Sequence, residues 1–146
     1  MYHYFVVTHS GAMTVALILL IVCEAFFALA RSRGQMRLVS LAVKSSRISG
    51  YLVLIGLIAG IALVVLGGWS LITPWLVISF LLIACLIAVE SAFISPWQAQ
   101  LKRMIEKEDY TTDLSVLLSN PRAQAGRAAM ILIFVLIFVL MMTKPW

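Results

Sequence analysis

One group of side chains combines imidazole with thioether. His3 and His9 are the two histidines of the chain, Met13 follows His9 by one helical turn, and Met141 and Met142 lie close to the other end. Imidazole with thioether suits Cu(I), and imidazole also suits haem iron. The sequence predicts His9, Met13 and His3 as cofactor ligands and His9, Met141 and Met142 as metal ligands. The alternative is that His9 is a hydrogen-bonded packing residue.

A second candidate group consists of two carboxylates. Glu24 and Glu90 are the charged residues in the interiors of long apolar runs, each about five or six residues from the same end of its run, so we expect similar depths. Opposed carboxylates at membrane depth suit proton or cation handling. The alternative is that each is capped near the interface by a hydroxyl or a cation. Candidate partners for this are Arg31, Lys44, Arg47, Ser91 and Arg127.

The first apolar run carries members of both groups on one helical face. At 100° per residue a narrow strip contains His9, Met13, Ala16, Leu20, Glu24, Phe27 and Arg31. Ionised groups are costly against lipid, so this face is predicted to turn toward other helices. With a rise of 1.5 Å per residue, His9 and Glu24 are roughly 22 Å apart along the axis and belong to separate sites.

The elements that must position these residues are membrane spans. Apolar residues make up 63% of the 146-residue chain and charged residues 12%, against about 45–50% and about 25% in soluble domains. About 20 apolar residues cross a bilayer core as a helix, and four runs qualify, at 4–30, 50–67, 74–95 and 127–143. The prediction is an all-α integral membrane protein, one domain over 1–146, built as an antiparallel bundle of four transmembrane helices.

Positive charge predicts the orientation. Ten of the eleven Lys and Arg residues lie in or at the edge of the connections 31–49 and 96–126, which the positive-inside rule assigns to the cytoplasm. Both termini are then outside. The expected outer aromatic anchors are Tyr2, Tyr4, Trp69, Trp75 and Trp146, with Trp97 as an inner anchor. The net charge of +5 predicts contact with anionic headgroups rather than nucleic acid.

Local patterns refine this arrangement. Basic residues at three- and four-residue spacing over 33–47 predict a short interfacial helix leading into the second span. Asn120 suits the N-cap and Pro121 the first position of the fourth helix. Gly56 and Gly60 form a GxxxG pattern that favours close helix packing within the bundle, and a stripe including Ala84 on the third span is similar. A homodimer or a larger membrane complex is the less favoured use of these patterns.

A family resemblance rests on the order of these features. An early His9 is followed by RISGYLVLIGLIAGIALVVLGGW, PWLVISFLLIACLIAVESAF and a closing FVLMMTKPW. The chain resembles small four-helix bacterial membrane proteins of uncharacterised function related to the copper-resistance D group, which is similar to the J-type protoporphyrinogen oxidase. The resemblance implies the bacterial inner membrane, with periplasmic termini, and a haem b or copper role for His9.

Three hypotheses about function follow, in order of preference. The first is a non-catalytic inner-membrane protein, free-standing or an accessory subunit. The second is a haem- or copper-binding redox or metal-handling protein that uses His9. The third is a proton-linked carrier that uses Glu24 and Glu90. The sequence has no HExxH, GxSxG, Walker or CxxC motif, so the prediction leans away from an enzyme.

Overall fold

The computed structural model describes residues 1–107 and 114–143, and these residues form helices and short connections. The elements are α1 (Tyr2–Arg33), α2 (Met36–Leu66), α3 (Pro74–Val89), a π-helical turn (Glu90–Ile94), α4 (Ser95–Lys107), α5 (Leu114–Leu118) and α6 (Pro121–Thr143). Four helical stretches are long and apolar enough to cross a membrane, namely Tyr2–Arg33, Met36–Leu66, Pro74–Glu106 and Leu114–Thr143. This confirms the predicted all-α fold with four spanning helices. The predicted anchor Trp146 lies outside the described residues.

At the basic end α2 extends well past its predicted span, whereas α1 extends past its own by three residues. Only Gly34 and Gln35 separate α1 from α2, and Gly34 ends α1 in the left-handed conformation at φ 63°, donating its N–H to Ala30 O. The basic segment expected as a separate interfacial helix is the first part of α2. No glycine or proline interrupts residues 36–49, and each added residue adds a backbone hydrogen bond once a helix is nucleated. At 31 residues, α2 is roughly 46 Å long, so it extends beyond a hydrocarbon core of about 30 Å.

An inner core fills the basic end of the bundle. Its buried members are Cys23, Phe27, Ala30, Val39, Ala42, Trp97, Leu101, Leu118 and Ala123. Trp97 is 3% exposed and donates its indole N–H to Leu117 O at 2.9 Å. The prediction of Trp97 as an interfacial anchor is therefore wrong. The chain continues through the π-helical turn into α4, and the Trp97 ring packs against Phe27 of α1.

The fourth span begins where its start signal predicts. Pro121 is the first residue of α6. The side-chain oxygen of Asn120 accepts hydrogen bonds from the backbone N–H groups of Arg122 at 3.0 Å and Ala123 at 3.4 Å. This N-cap satisfies donors that have no partner inside the helix, which confirms the predicted roles of Asn120 and Pro121.

Helix packing gives the order α2, α1, α6, α3 across the bundle. The α1–α2 hairpin is the most extensive contact, α3 packs on α6, and α1 contacts α6, whereas α2 and α3 have at most a marginal contact within the described residues. Gly56 and Gly60 face α1, as the predicted close packing requires. By contrast Ala84, Ala88 and Ala92 are exposed, so the stripe on the third span does not serve packing within the bundle. The site described below lies among the helices on the side where α2 and α3 hardly touch.

Candidate functional site

A cavity of about 340 Å³ lies among α1, α2, α3 and α6 at the end of the bundle opposite the basic residues. Its lining is mainly apolar and aromatic and includes His9, Met13, Met141 and Met142. The rings of Trp69 and Trp75 also line it and meet edge to face, with centroids 5.7 Å apart. Since α2 and α3 barely pack against each other, the cavity has no close helix contact to seal it on that side.

Both ring nitrogens of His9 have a close neighbour in this cavity. Nδ1 is 2.6 Å from the carbonyl oxygen of Gly56, and Nε2 is 3.2 Å from Met141 Sδ. A carbonyl oxygen can only accept, so Nδ1 carries the proton and donates it. In the neutral ring Nε2 is then an acceptor, and it faces a thioether sulfur that is also only an acceptor. With the proton on Nδ1, these two neighbouring lone pairs can together accept a hydrogen-bond donor or bind a metal ion.

The glycines of α2 make room for these side chains. A Cβ atom added at Gly60 would lie 2.9 Å from His9 Cε1 and 3.0 Å from Nδ1, and one added at Gly56 would lie 2.7 Å from Met13 Sδ. Real Cβ atoms essentially never approach another atom closer than 3.0 Å, so a side chain would have to shift at each position. The GxxxG pattern therefore seats His9 and Met13 as well as bringing two helices together.

The pair formed by His9 Nε2 and Met141 Sδ fits one small metal ion. With bonds of about 2.0 Å to nitrogen and about 2.3 Å to sulfur, a separation of 3.2 Å closes at an angle of roughly 95°. This angle is nearer to that of an ion with three or four ligands than to the linear arrangement of an ion with two, so the pair would form part of a larger ligand set. Haem iron between the same two ligands would hold them about 4.3 Å apart, so axial ligation by this pair does not fit. The Nδ1–H bond to a carbonyl is the arrangement that orients metal-binding histidines. The donor set is soft and suits Cu(I).

Two of the other predicted ligands line the cavity and one does not. Met13 is 8% exposed and Met142 is 73% exposed, and both line the cavity. His3 is exposed and is not part of the lining, because it lies about 120° around α1 from His9. Within the described residues, no group of three or more His, Cys, Asp or Glu side chains could hold a metal. A metal here would thus depend on imidazole and thioether ligands.

Glu24 is paired with a cation at the opposite end of the bundle. Its Oε1 is 2.7 Å from Arg127 Nε. The Arg127 guanidinium carbon also lies 4.9 Å from the ring centroid of Phe27 and 4.6 Å from that of Trp97. Arg127 Nη1 is buried without a hydrogen-bond partner in the described part of the chain, and the Nε–H is not aligned on the carboxylate. Charge and ring stacking therefore hold this arginine.

Glu90 is the first residue of the π-helical turn and is half-buried. Over residues 1–107 and 114–143, it belongs to no ion pair, and no hydrogen bond joins it to Glu24. Glu24 thus has the cation-capped arrangement that was the alternative to proton handling.

Comparison with known proteins gives one match. The family model described as "Predicted integral membrane protein (DUF2269)" matches residues 5–145. The chain belongs to this family. No curated protein and no solved structure matches it. Membership in DUF2269 confirms an integral membrane protein and carries no statement about the copper-resistance or protoporphyrinogen oxidase groups.

Two features of this DUF2269 protein escaped the sequence reasoning. The contact of Arg127 with the rings of both Phe27 and Trp97 was missed, although Phe27 follows Glu24 by three residues on the predicted inward strip. The role of Gly60 as the seat of His9 was also missed. The GxxxG spacing signals that a neighbour comes close to α2, but it does not say which side chain of that neighbour arrives there.

Proposed function

We propose that this protein binds Cu(I) through His9 and Met141 and acts as a non-catalytic metal-handling component of the bacterial inner membrane. The observation that carries the proposal is the 3.2 Å approach of His9 Nε2 to Met141 Sδ, two acceptors that one Cu(I) ion satisfies together.

The same proposal includes the predicted orientation, with the metal site toward the periplasm. Its support is the separation of charge from the cavity. Exposed cations lie at the other end of α1 and α2 and on α4, namely Arg31, Arg33, Arg37, Lys44, Arg47, Lys102 and Arg103. These side chains suit the anionic headgroups of the cytoplasmic leaflet. Cu(I) would then be taken up from the periplasmic side, past the exposed Met142.

The test of copper binding is a Cu(I) titration of the purified protein in detergent against a competing chelator. We expect one Cu(I) per chain. His9→Ala should weaken binding by roughly 100-fold or more and Met141→Leu by at least about tenfold, since even outer-shell partners of metal ligands contribute about 10–100-fold. X-ray absorption of the loaded protein should show both nitrogen and sulfur ligands. A protein that binds no copper, or one whose affinity survives both substitutions, refutes the proposal.

Matched variants separate ligation from general damage. His3→Ala removes the exposed histidine outside the cavity, and Met130→Leu changes a methionine of α6 that does not line it; both should bind copper as the unmodified chain does. Gly60→Ala should weaken binding by displacing the imidazole, because its Cβ would lie 2.9 Å from His9 Cε1. Gly50→Ala in the same helix meets nothing within 4 Å and should leave binding unchanged.

The orientation is tested by labelling single cysteines in cells. In a Cys23→Ala, Cys85→Ala background, we expect Ile72→Cys, in the uncharged connection, to react with a membrane-impermeant maleimide in intact spheroplasts. Arg33→Cys should react only after permeabilisation, because the basic end faces the cytoplasm. Both positions are exposed, so accessibility within the protein is matched. The reverse pattern of labelling would overturn the proposed topology and leave the copper measurement untouched.

A further inference from the structure

The cavity around His9 is larger than one metal ion requires. Its volume of about 340 Å³ falls within the range of about 300–1,000 Å³ found for small-molecule sites. Six aromatic side chains contribute to the lining, namely Tyr2, Trp69, Trp75, Phe80, Phe134 and Phe138. A lining of this kind favours a flat ring, because aromatic pairs gain stacking or edge-to-face contacts beyond simple burial.

The polar groups in the lining indicate which substituent such a ring would carry. The hydroxyl of Ser79 donates to Trp75 O at 2.7 Å, and that of Ser10 donates to Val6 O at 2.9 Å. These hydroxyls are therefore engaged within their own helices. His9 Nε2 instead lies beside Met141 Sδ, and with the ring proton on Nδ1 both atoms are acceptors. This acceptor pair suits a ligand that donates a hydrogen bond.

The surroundings indicate where such a ligand would come from. The cavity is bounded by α2 and α3 on the side where these two spanning helices hardly touch. A plain acyl chain gains little by leaving the bilayer, since lipid tails are as apolar as the cavity wall. A membrane-dissolved ring that bears a hydroxyl gains both the aromatic contacts and a partner at His9.

We propose that this cavity binds a membrane-dissolved hydroxylated aromatic ring of the phenol or hydroquinone class, with its hydroxyl donating to His9 Nε2. The inference uses the same nitrogen as the proposed copper site but does not depend on copper. In the metal-free protein the hydroxyl occupies the position that the ion takes in the loaded protein. Ring binding and Cu(I) binding should therefore compete.

The test uses three photoreactive probes on the purified full-length protein in lipid nanodiscs with a Cu(I) chelator. The probes carry the same diazirine-bearing alkyl chain and end in a phenol, its methyl ether or nothing. We expect the phenol to label residues of the cavity lining saturably and about fivefold more than the other two, the size of one hydrogen bond. Equal labelling by all three probes would identify a lipid chain as the occupant and overturn the proposal, as would phenol labelling that does not saturate.

Two variants of α3 provide the structural control. Ile83 lines the cavity, whereas Ile78 is 47% exposed and does not. Ile83→Phe should reduce phenol labelling severalfold by filling the space, and Ile78→Phe should leave it unchanged. Similar labelling of both variants would also overturn the proposal. A protein that binds the phenol but no Cu(I) refutes only the proposed function, and one that binds Cu(I) but not the phenol refutes only this inference.

Discussion

Glu24→Gln is expected to lower the free energy of unfolding by about 3 kcal/mol, at the lower end of the range for breaking a buried ion pair. The substitution leaves Arg127, whose side chain is 11% exposed, as a charge without a counter-ion. The Phe27 and Trp97 rings retain their contacts with the guanidinium and offset part of the loss. The Glu24 side chain is 33% exposed, so solvent screening keeps the cost from the upper end of the range.

The measurement is reversible unfolding in mixed micelles at fixed pH, with Glu90→Gln as the control. Glu90 belongs to no ion pair among the described residues, so its substitution should cost less than about 1 kcal/mol. The double variant Glu24→Gln, Arg127→Gln should be less destabilised than the sum of the single variants, because removing both charges leaves neither uncompensated. Equal effects of Glu24→Gln and Glu90→Gln would show that the Arg127 pair does not stabilise the fold.

Trp97→Ala is expected to cost about 3–5 kcal/mol, the range for deleting a buried aromatic side chain. The ring is 3% exposed, meets Phe27 at 5.1 Å between centroids and covers one face of Arg127. Its loss opens a cavity in the inner core and removes the donor to Leu117 O. Unfolding in the same mixed micelles would measure the effect.

Graded variants identify which contact matters. Trp97→Phe keeps an aromatic ring but loses the N–H donor, and its cost should be near 1 kcal/mol plus a smaller cavity term. Leu132→Ala, at a lipid-facing position that is 61% exposed, should have a much smaller effect. If Trp97→Ala lowered the free energy of unfolding as little as Leu132→Ala, the ring would not belong to a packed core at the basic end of the bundle.

Much of the fold was predictable because it depends on features that each segment carries alone. Hydropathy over about 20 residues predicts a spanning helix whatever its neighbours are, and four such helices are present. Asn120 and Pro121 predict a helix start through their own side chains. The start of α2 was harder to predict. The basic segment was expected as a short interfacial helix leading into the second span, yet no residue over 36–49 breaks a helix, so α2 runs without interruption from Met36.

The residues of α1 that face the bundle were predictable from the sequence, but the side chains of other helices that contact them were not. Rotating α1 by 100° per residue predicts that Met13, Ala16 and Phe27 face inward, and all three are buried. The same rotation separates His9 from His3, and the cavity includes only the former. The choice of Arg127 from five candidate partners of Glu24 could not be made in this way. It depends on α6 lying beside α1, a neighbour relation between helices far apart in the chain.

The sequence by itself determined the membrane class, the number of spans, the start of the fourth helix and the inward face of the first. Each of these follows from local composition, local hydrogen bonding or the fixed rotation of a helix. Only the tertiary structure decided that Gly60 seats His9, that Met141 reaches Nε2 and that Trp97 stacks on Arg127. These contacts depend on the order and rotation of helices around the bundle. Apolar residues cover almost every face of such helices, so hydropathy alone does not distinguish lipid from protein as their neighbour.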